Sequence, residues 1–241
     1  MELIIEKVSK QYGKGKALDN YSARIEINKG NVVGLVGPNG AGKTTLMKIL
    51  AGILDYQDGM VHIDNKSKSD YEKWCKQNVA FVSAGERGLK YKNTVLDNVI
   101  YFCALKGIDK KVTQSRYNEY ARLLNFEDFA SRRIETLSTG ELKKVNLLCG
   151  LCTGTKVILL DEPSSGLDID AVEELKKSIE IISREIQSTL LISSHDIDFL
   201  SKTTNIIHFI LKGKSVYQSN SKMKTEEIVD KYNEMKGAYH D

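Results

Sequence analysis

Between the apolar run Val32–Val36 and a helical stretch at 45–50 stands Gly37-Pro38-Asn39-Gly40-Ala41-Gly42-Lys43-Thr44, so strand, glycine-rich loop and helix follow one another directly. This is the pattern G-x-x-x-x-G-K-[ST] in the context that gives it meaning. Glycines let the backbone turn its N–H groups inward, and the helix start adds a partial positive charge, so the loop suits nucleotide phosphates. Residues 37–42 form the cradle, with Thr45 at the opening of the helix. Lys43 reaches the terminal phosphates, and Thr44 offers its hydroxyl to Mg²⁺. A plain glycine-rich turn ahead of a helix is the alternative, and the preceding strand weighs against it.

Apolar segments at 3–8, Val32–Val36, Val79–Val82, 157–160, 190–193 and Ile206–Leu211 read as strands separated by helical patterns. That alternation implies an α/β fold, a mostly parallel sheet covered by helices. From about 85 to 154 the strand signal stops, and helical stretches at 94–106, 110–124 and 140–152 predict an inserted helical subdomain. Thr94 and Thr139 stand at expected N-cap positions, and Gly107 closes the first of these helices. After Gly213 come Ser215-Val216-Tyr217, a polar turn and an amphipathic stretch at 224–235. The 241 residues therefore divide into a core at 1–84 and 155–215, a helical subdomain at 85–154 and a C-terminal helical extension at 216–241.

Hydrophobic residues make up 41% of the chain and charged residues 28%, and no apolar run is long enough to span a bilayer. Met1-Glu2-Leu3-Ile4-Ile5-Glu6 is no signal peptide, which points to the cytoplasm. Cys149-Gly150-Leu151-Cys152 lacks the second ligand pair of a zinc site and reads as packing. Lys and Arg number 35 against 32 Asp and Glu, a formal charge of +3 that gives no reason to expect a nucleic-acid partner. Arg132-Arg133 and Lys143-Lys144 read as solvated faces.

Asp161 and Glu162 end the apolar run at 157–160, which puts them at the carboxyl edge of a parallel sheet, where α/β ligands bind. Asp161 suits the hydration shell of Mg²⁺. Glu162, one residue on, points differently and suits a general base or water-positioning residue for attack on a γ-phosphate.

In this order the motifs resemble the nucleotide-binding domain of ATP-binding cassette (ABC) proteins, over the chain up to about Gly213. Leu137-Ser138-Thr139-Gly140-Glu141 is similar to the family's Leu-Ser-Gly-Gly-Gln signature, and Ser164-Ser165-Gly166-Leu167-Asp168 to its D-loop. Ser194-His195 is similar to its switch histidine. The resemblance implies a P-loop NTPase, RecA-like core with an N-terminal antiparallel β subdomain and the inserted helical subdomain. It also implies ATP and Mg²⁺ as cofactors, and a second cassette, as homodimer or heterodimer, whose Ser138 and Gly140 close on the γ-phosphate held by Lys43. His195 then senses that phosphate, Asp168 communicates across the dimer, and Tyr12 stacks on adenine.

The glutamine that the family places after the strand at Val79–Val82 is missing, since residues 83–89 read Ser-Ala-Gly-Glu-Arg-Gly-Leu and Gln77 precedes the strand. Glu86 is the nearest side chain that could ligate Mg²⁺. Thr139 and Glu141 also depart from the signature, while Ser138 and Gly140 keep it. The implied role is the ATPase subunit of a transporter, peripheral on the cytoplasmic face of the membrane and working through separate multi-spanning subunits. The groove beside 85–98, with Leu89 and Tyr91, is the expected docking site. Residues 85–89 and 94–98 with the Ser-Thr-Gly signature look more like ABC-2-type exporters than importers. Alternatives are a soluble assembly ATPase, as in iron–sulfur cluster assembly, and a regulatory cassette with weak hydrolysis.

Overall fold

The structure is a computed structural model that describes residues 1–64, 67–83 and 88–238. Its strands are β1 (Glu2–Tyr12), β2 (Gly15–Glu26), β3 (Val32–Val36), β4 (Asp58–Ile63), β5 (Val79–Val82), β6 (Val157–Asp161), β7 (Thr189–Ser194), β8 (Ile206–Leu211) and β9 (Lys214–Gln218). The helices are α1 (Lys43–Leu50), α2 (Lys68–Asn78), α3 (Val95–Leu105), α4 (Lys110–Leu123), α5 (Thr139–Cys152), α6 (Ile169–Glu185), α7 (Ile197–Thr203) and α8 (Thr225–Ala238).

β2, β1 and β4 form an antiparallel sheet in that order, and the others form a second sheet in the order β5-β6-β7-β3-β8-β9, parallel except for β9. β3, β6 and β7 are buried at every residue because both faces of the larger sheet are covered. Alternate side chains of these strands enter different cores. Val33, Leu35, Leu159 and Leu191 pack with α1, α2 and the three-stranded sheet. Val32, Val36, Leu160 and Ile192 pack with the helices α3 to α8. Each fully buried aliphatic side chain contributes roughly 1.5–3 kcal/mol of transfer free energy.

The three strands that carry the site, β3, β6 and β7, are neighbours, with all carboxyl ends on one edge. α3, α4 and α5 pack on one another around Val99, Tyr117, Ala121, Val145 and Leu148. Cys149 and Cys152 are buried free thiols, as packing requires. α3 begins with a capping box of Thr94 and Asp97, and Gly107 ends it with a positive φ of 74°.

Three expectations need correction. Ser138, not Thr139, caps α5, because its hydroxyl and Glu141 form a capping box and Thr139 is already helical. Lys144 is not on a solvated face: it is buried, paired with Glu174 and set over the ring of Phe126. Leu89 is buried in the larger core, while Tyr91 is exposed. Among the described residues, no helix is long and apolar enough to cross a membrane.

Candidate nucleotide site

β3 delivers the chain into the loop at 37–42, and neighbouring backbone forces glycine at two points. A Cβ on Gly37 would lie 2.3 Å from the Ile210 carbonyl oxygen, and one on Gly42 would lie 2.3 Å from that of Ala17. Gly42 also has a φ of 106°, which disfavours any side chain. No side chain caps the start of α1, so its first N–H groups suit an anionic ligand.

Lys43 is buried at the head of α1. Its Nζ donates to the carbonyl oxygens of Gly37 at 2.7 Å and Pro38 at 3.3 Å, and pairs with Glu162 Oε1 at 3.2 Å. Beside it, the Thr44 hydroxyl donates to Asp161 Oδ1 at 3.0 Å. A hydroxyl and a carboxylate so close together are hard oxygen donors, and Mg²⁺ takes one or two such protein ligands together with phosphates and water. The residues present fit that ion. Among the described residues there is no group of three or more His, Cys, Asp or Glu that could hold a metal. Glu86 lies outside the described residues, and Gln77 is exposed on α2, away from the role of a Q-loop glutamine.

Glu162 has a φ of 46°, a left-handed conformation that costs roughly 1–3 kcal/mol for a residue other than glycine. It is held by its backbone N–H, which donates to the Ser193 carbonyl at 3.1 Å and to the Ser193 hydroxyl at 3.0 Å. The conformation turns the carboxylate so that Oε1 faces Lys43 and Oε2 lies 2.9 Å from His195 Nδ1. His195 follows β7 directly and is half exposed. Lys43, Thr44, Asp161, Glu162 and His195, drawn from distant parts of the chain, thus form one cluster. Ser193 belongs to it and was not foreseen. Its signal was a hydroxyl at the end of an apolar strand, in register with Asp161.

Tyr12 stands at the end of β1, 53% exposed and paired with Gly15 across the hairpin turn. The hairpin's next residues meet the loop, since the Ala17 carbonyl abuts Gly42.

Ser138 and Gly140 lie elsewhere. With Glu141, Gly166, Asp168 and Ala171 they line a groove of about 630 Å³, and none of residues 37–45 lines it. Gly140 lies close to Ala171, and Asp168 caps α6 by accepting from the Ala171 N–H at 2.8 Å. Glu141 accepts from the Ser138 N–H at 2.7 Å and from Arg132 at 3.1 Å. Burial pushes the Glu141 carboxyl up, but these Ser138 and Arg132 contacts outweigh it and hold the carboxyl below its usual range. A carboxylate in place of glutamine is thus an anchor of the α5 start.

The sequence profile of the ABC transporter family matches residues 21–165. The chain is 33% identical over 215 residues to the tungstate uptake system ATP-binding protein TupC of Peptoclostridium acidaminophilum, covering 89% of this chain and 96% of that protein. It is 32% identical over 203 residues to the ABC transporter ATP-binding protein NatA of Bacillus subtilis, covering 84% and 81%. Among solved structures, cbiO1 of Clostridium perfringens, part of the ABC transporter complex cbiONQ, superposes with a TM-score of 0.80 at 25% identity, covering 97% of this chain and 93% of that one. TupC belongs by name to an uptake system, so the expected likeness to exporters finds no support there.

Proposed function

Because the chain belongs to the ABC transporter family as one of its ATP-binding, ATP-hydrolysing subunits, we propose that it drives transport through separate membrane-spanning subunits, by closing on a second cassette around ATP. The observation that carries this reading is the cluster in which Glu162 faces both Lys43 and His195 while Asp161 holds Thr44.

In this reading the loop N–H groups and Lys43 bind the β- and γ-phosphates, and Tyr12 stacks on adenine. Thr44 and Asp161 hold Mg²⁺, which neutralises phosphate charge when bound. Glu162 takes a proton from water as the water oxygen bonds to the γ-phosphorus and the bond to the β–γ bridging oxygen breaks, giving ADP and phosphate. His195 orients Glu162 and contacts the γ-phosphate. Ser138 and Gly140 complete the site from the partner cassette, a role supported by their lining a groove that none of the chain's own cradle residues lines. Asp168, beside them, links the two sites. The division into a core at 1–84 and 155–215, a helical subdomain at 85–154 and a C-terminal extension at 216–241 belongs to the same proposal.

A small groove of about 130 Å³ between β5, α3 and α5, lined by Phe81, Val82, Phe102, Leu105 and Asn146, has room for one apolar side chain presented by a short helix of the membrane partner. The Asn146 Nδ2 lies buried at its floor with no hydrogen-bond partner among the described residues. Docking at this groove places the cassette on the cytoplasmic face of the membrane. Cargo and direction are then set by the partner. Affinity purification from native membranes tests the proposal: a multi-spanning subunit copurifies with the wild type and is lost with Leu105→Glu. Recovery of only soluble partners would overturn it.

A further inference from the structure

Ser193 is fully buried at the carboxyl end of β7, where the parallel register sets it beside Asp161. Its hydroxyl donates to Asp161 Oδ1 at 2.7 Å and accepts the Glu162 backbone N–H at 3.0 Å. One hydroxyl can do both at once, because it carries one donor and two acceptor sites. The same Asp161 oxygen accepts from Thr44 at 3.0 Å, so two hydroxyls on different elements fix the carboxylate. Without Ser193, Asp161 keeps only Thr44 as a side-chain anchor among the described residues, and Thr44 is the residue that must share its hydroxyl with the metal. Without Ser193 the Glu162 N–H also keeps only a backbone carbonyl partner for its left-handed turn.

We propose that Ser193 is a positioning residue of the hydrolytic site, one hydroxyl that orients the metal-facing carboxylate of Asp161 and fixes the backbone from which Glu162 reaches the γ-phosphate. This rests on reading Asp161 as a metal ligand and Glu162 as the base. Partners that orient a metal ligand commonly contribute 10- to 100-fold to metal affinity.

The experiment titrates Mn²⁺ by electron paramagnetic resonance into the full-length protein with a non-hydrolysable ATP analogue, for Ser193→Ala, Ser193→Thr and Asp161→Asn. Ser193→Ala weakens Mn²⁺ by about tenfold or more, while metal-free binding of the analogue is unchanged. Ser193→Thr, which keeps the hydroxyl, stays near wild type. In steady-state ATPase assays Ser193→Ala lowers kcat at saturating metal and leaves KM for ATP unchanged. Should alanine not fold, Ser193→Cys fills the site with a slightly larger group and weakens the donor, and the same order is expected. Wild-type Mn²⁺ affinity in the Ala or Cys variant, with Asp161→Asn weakened, overturns the role of Ser193. Wild-type affinity in Asp161→Asn instead overturns the reading of Asp161 as a ligand.

Discussion

Lys43 and Glu162 are joined by an ion pair of 3.2 Å, with side chains only 6% and 15% exposed. The cation proposed to bind the terminal phosphates therefore touches the carboxylate proposed to activate water. A phosphate arriving at Lys43 lies within reach of that carboxylate without a change of fold. Glu162 and two loop carbonyls also satisfy the donors of the buried Lys43 ammonium group.

Lys43→Ala removes the phosphate contact and leaves Glu162 buried without its cation. Losing the protein's partner of a buried charge pair across a binding interface, here Lys43 with the bound phosphate, costs about 2–5 kcal/mol, so ATP affinity falls by roughly two orders of magnitude or more. Isothermal titration calorimetry measures it, and wild-type affinity would contradict the placement of Lys43 on the phosphates.

Glu162→Gln keeps the shape of the site and removes the proton acceptor. Steady-state hydrolysis falls by roughly 10²- to 10⁴-fold, with ATP binding retained. Phosphate release at the unmodified rate would exclude Glu162 as the base.

His208 faces the smaller core from β8, with its Nε2 buried and unpartnered among the described residues. Burial lowers its pKa from 6.5 to about 4. Between those values the unfolded chain takes up a proton that the folded chain refuses. Stability is therefore full above pH 6.5 and declines by roughly 3 kcal/mol on acidification through the folded pKa. Urea titrations at pH 7 and pH 4.5 measure the decline, and His208→Leu flattens it. An equally steep decline in that variant would rule out His208 as its source.

Glu141→Ala breaks the capping box of α5 and the contact with Arg132, at a cost of about 1 kcal/mol. Glu141 has its folded pKa held below the ordinary 4.5, so its contribution is present above that value and is lost as pH falls through the lowered one. The gap in urea midpoint between wild type and Glu141→Ala thus closes in acid. A gap independent of pH would assign the effect to helix propensity.

How much of this was legible in the sequence depended on burial. β3, β5 and β8 match the expected Val32–Val36, Val79–Val82 and Ile206–Leu211 because strands in a covered sheet are nearly continuous apolar runs. β2 and β4 gave no such signal residue by residue. One of their faces is wet, and β1 pairs with them through irregular registers, so polar residues interrupt the pattern. The phosphate loop, Asp161, Glu162 and His195 could be read because each follows a strand end at the same sheet edge. Ser193 escaped because its role exists only in the register of β6 against β7. Lys144 and Leu89 were misjudged for a related reason: charge or loop position suggests exposure, and only the packing of α5 and α3 buries them.

The central claim is that ATP is held between the Lys43 cradle of one chain and the Ser138 end of α5 of another. Light scattering on size-exclusion chromatography of Glu162→Gln tests it most directly. The account predicts the monomer mass without ATP, twice that mass with MgATP, and a return to monomer when Ser138→Arg is added. A Glu162→Gln protein that binds ATP yet stays monomeric, or dimerises equally well with Ser138→Arg, would contradict it.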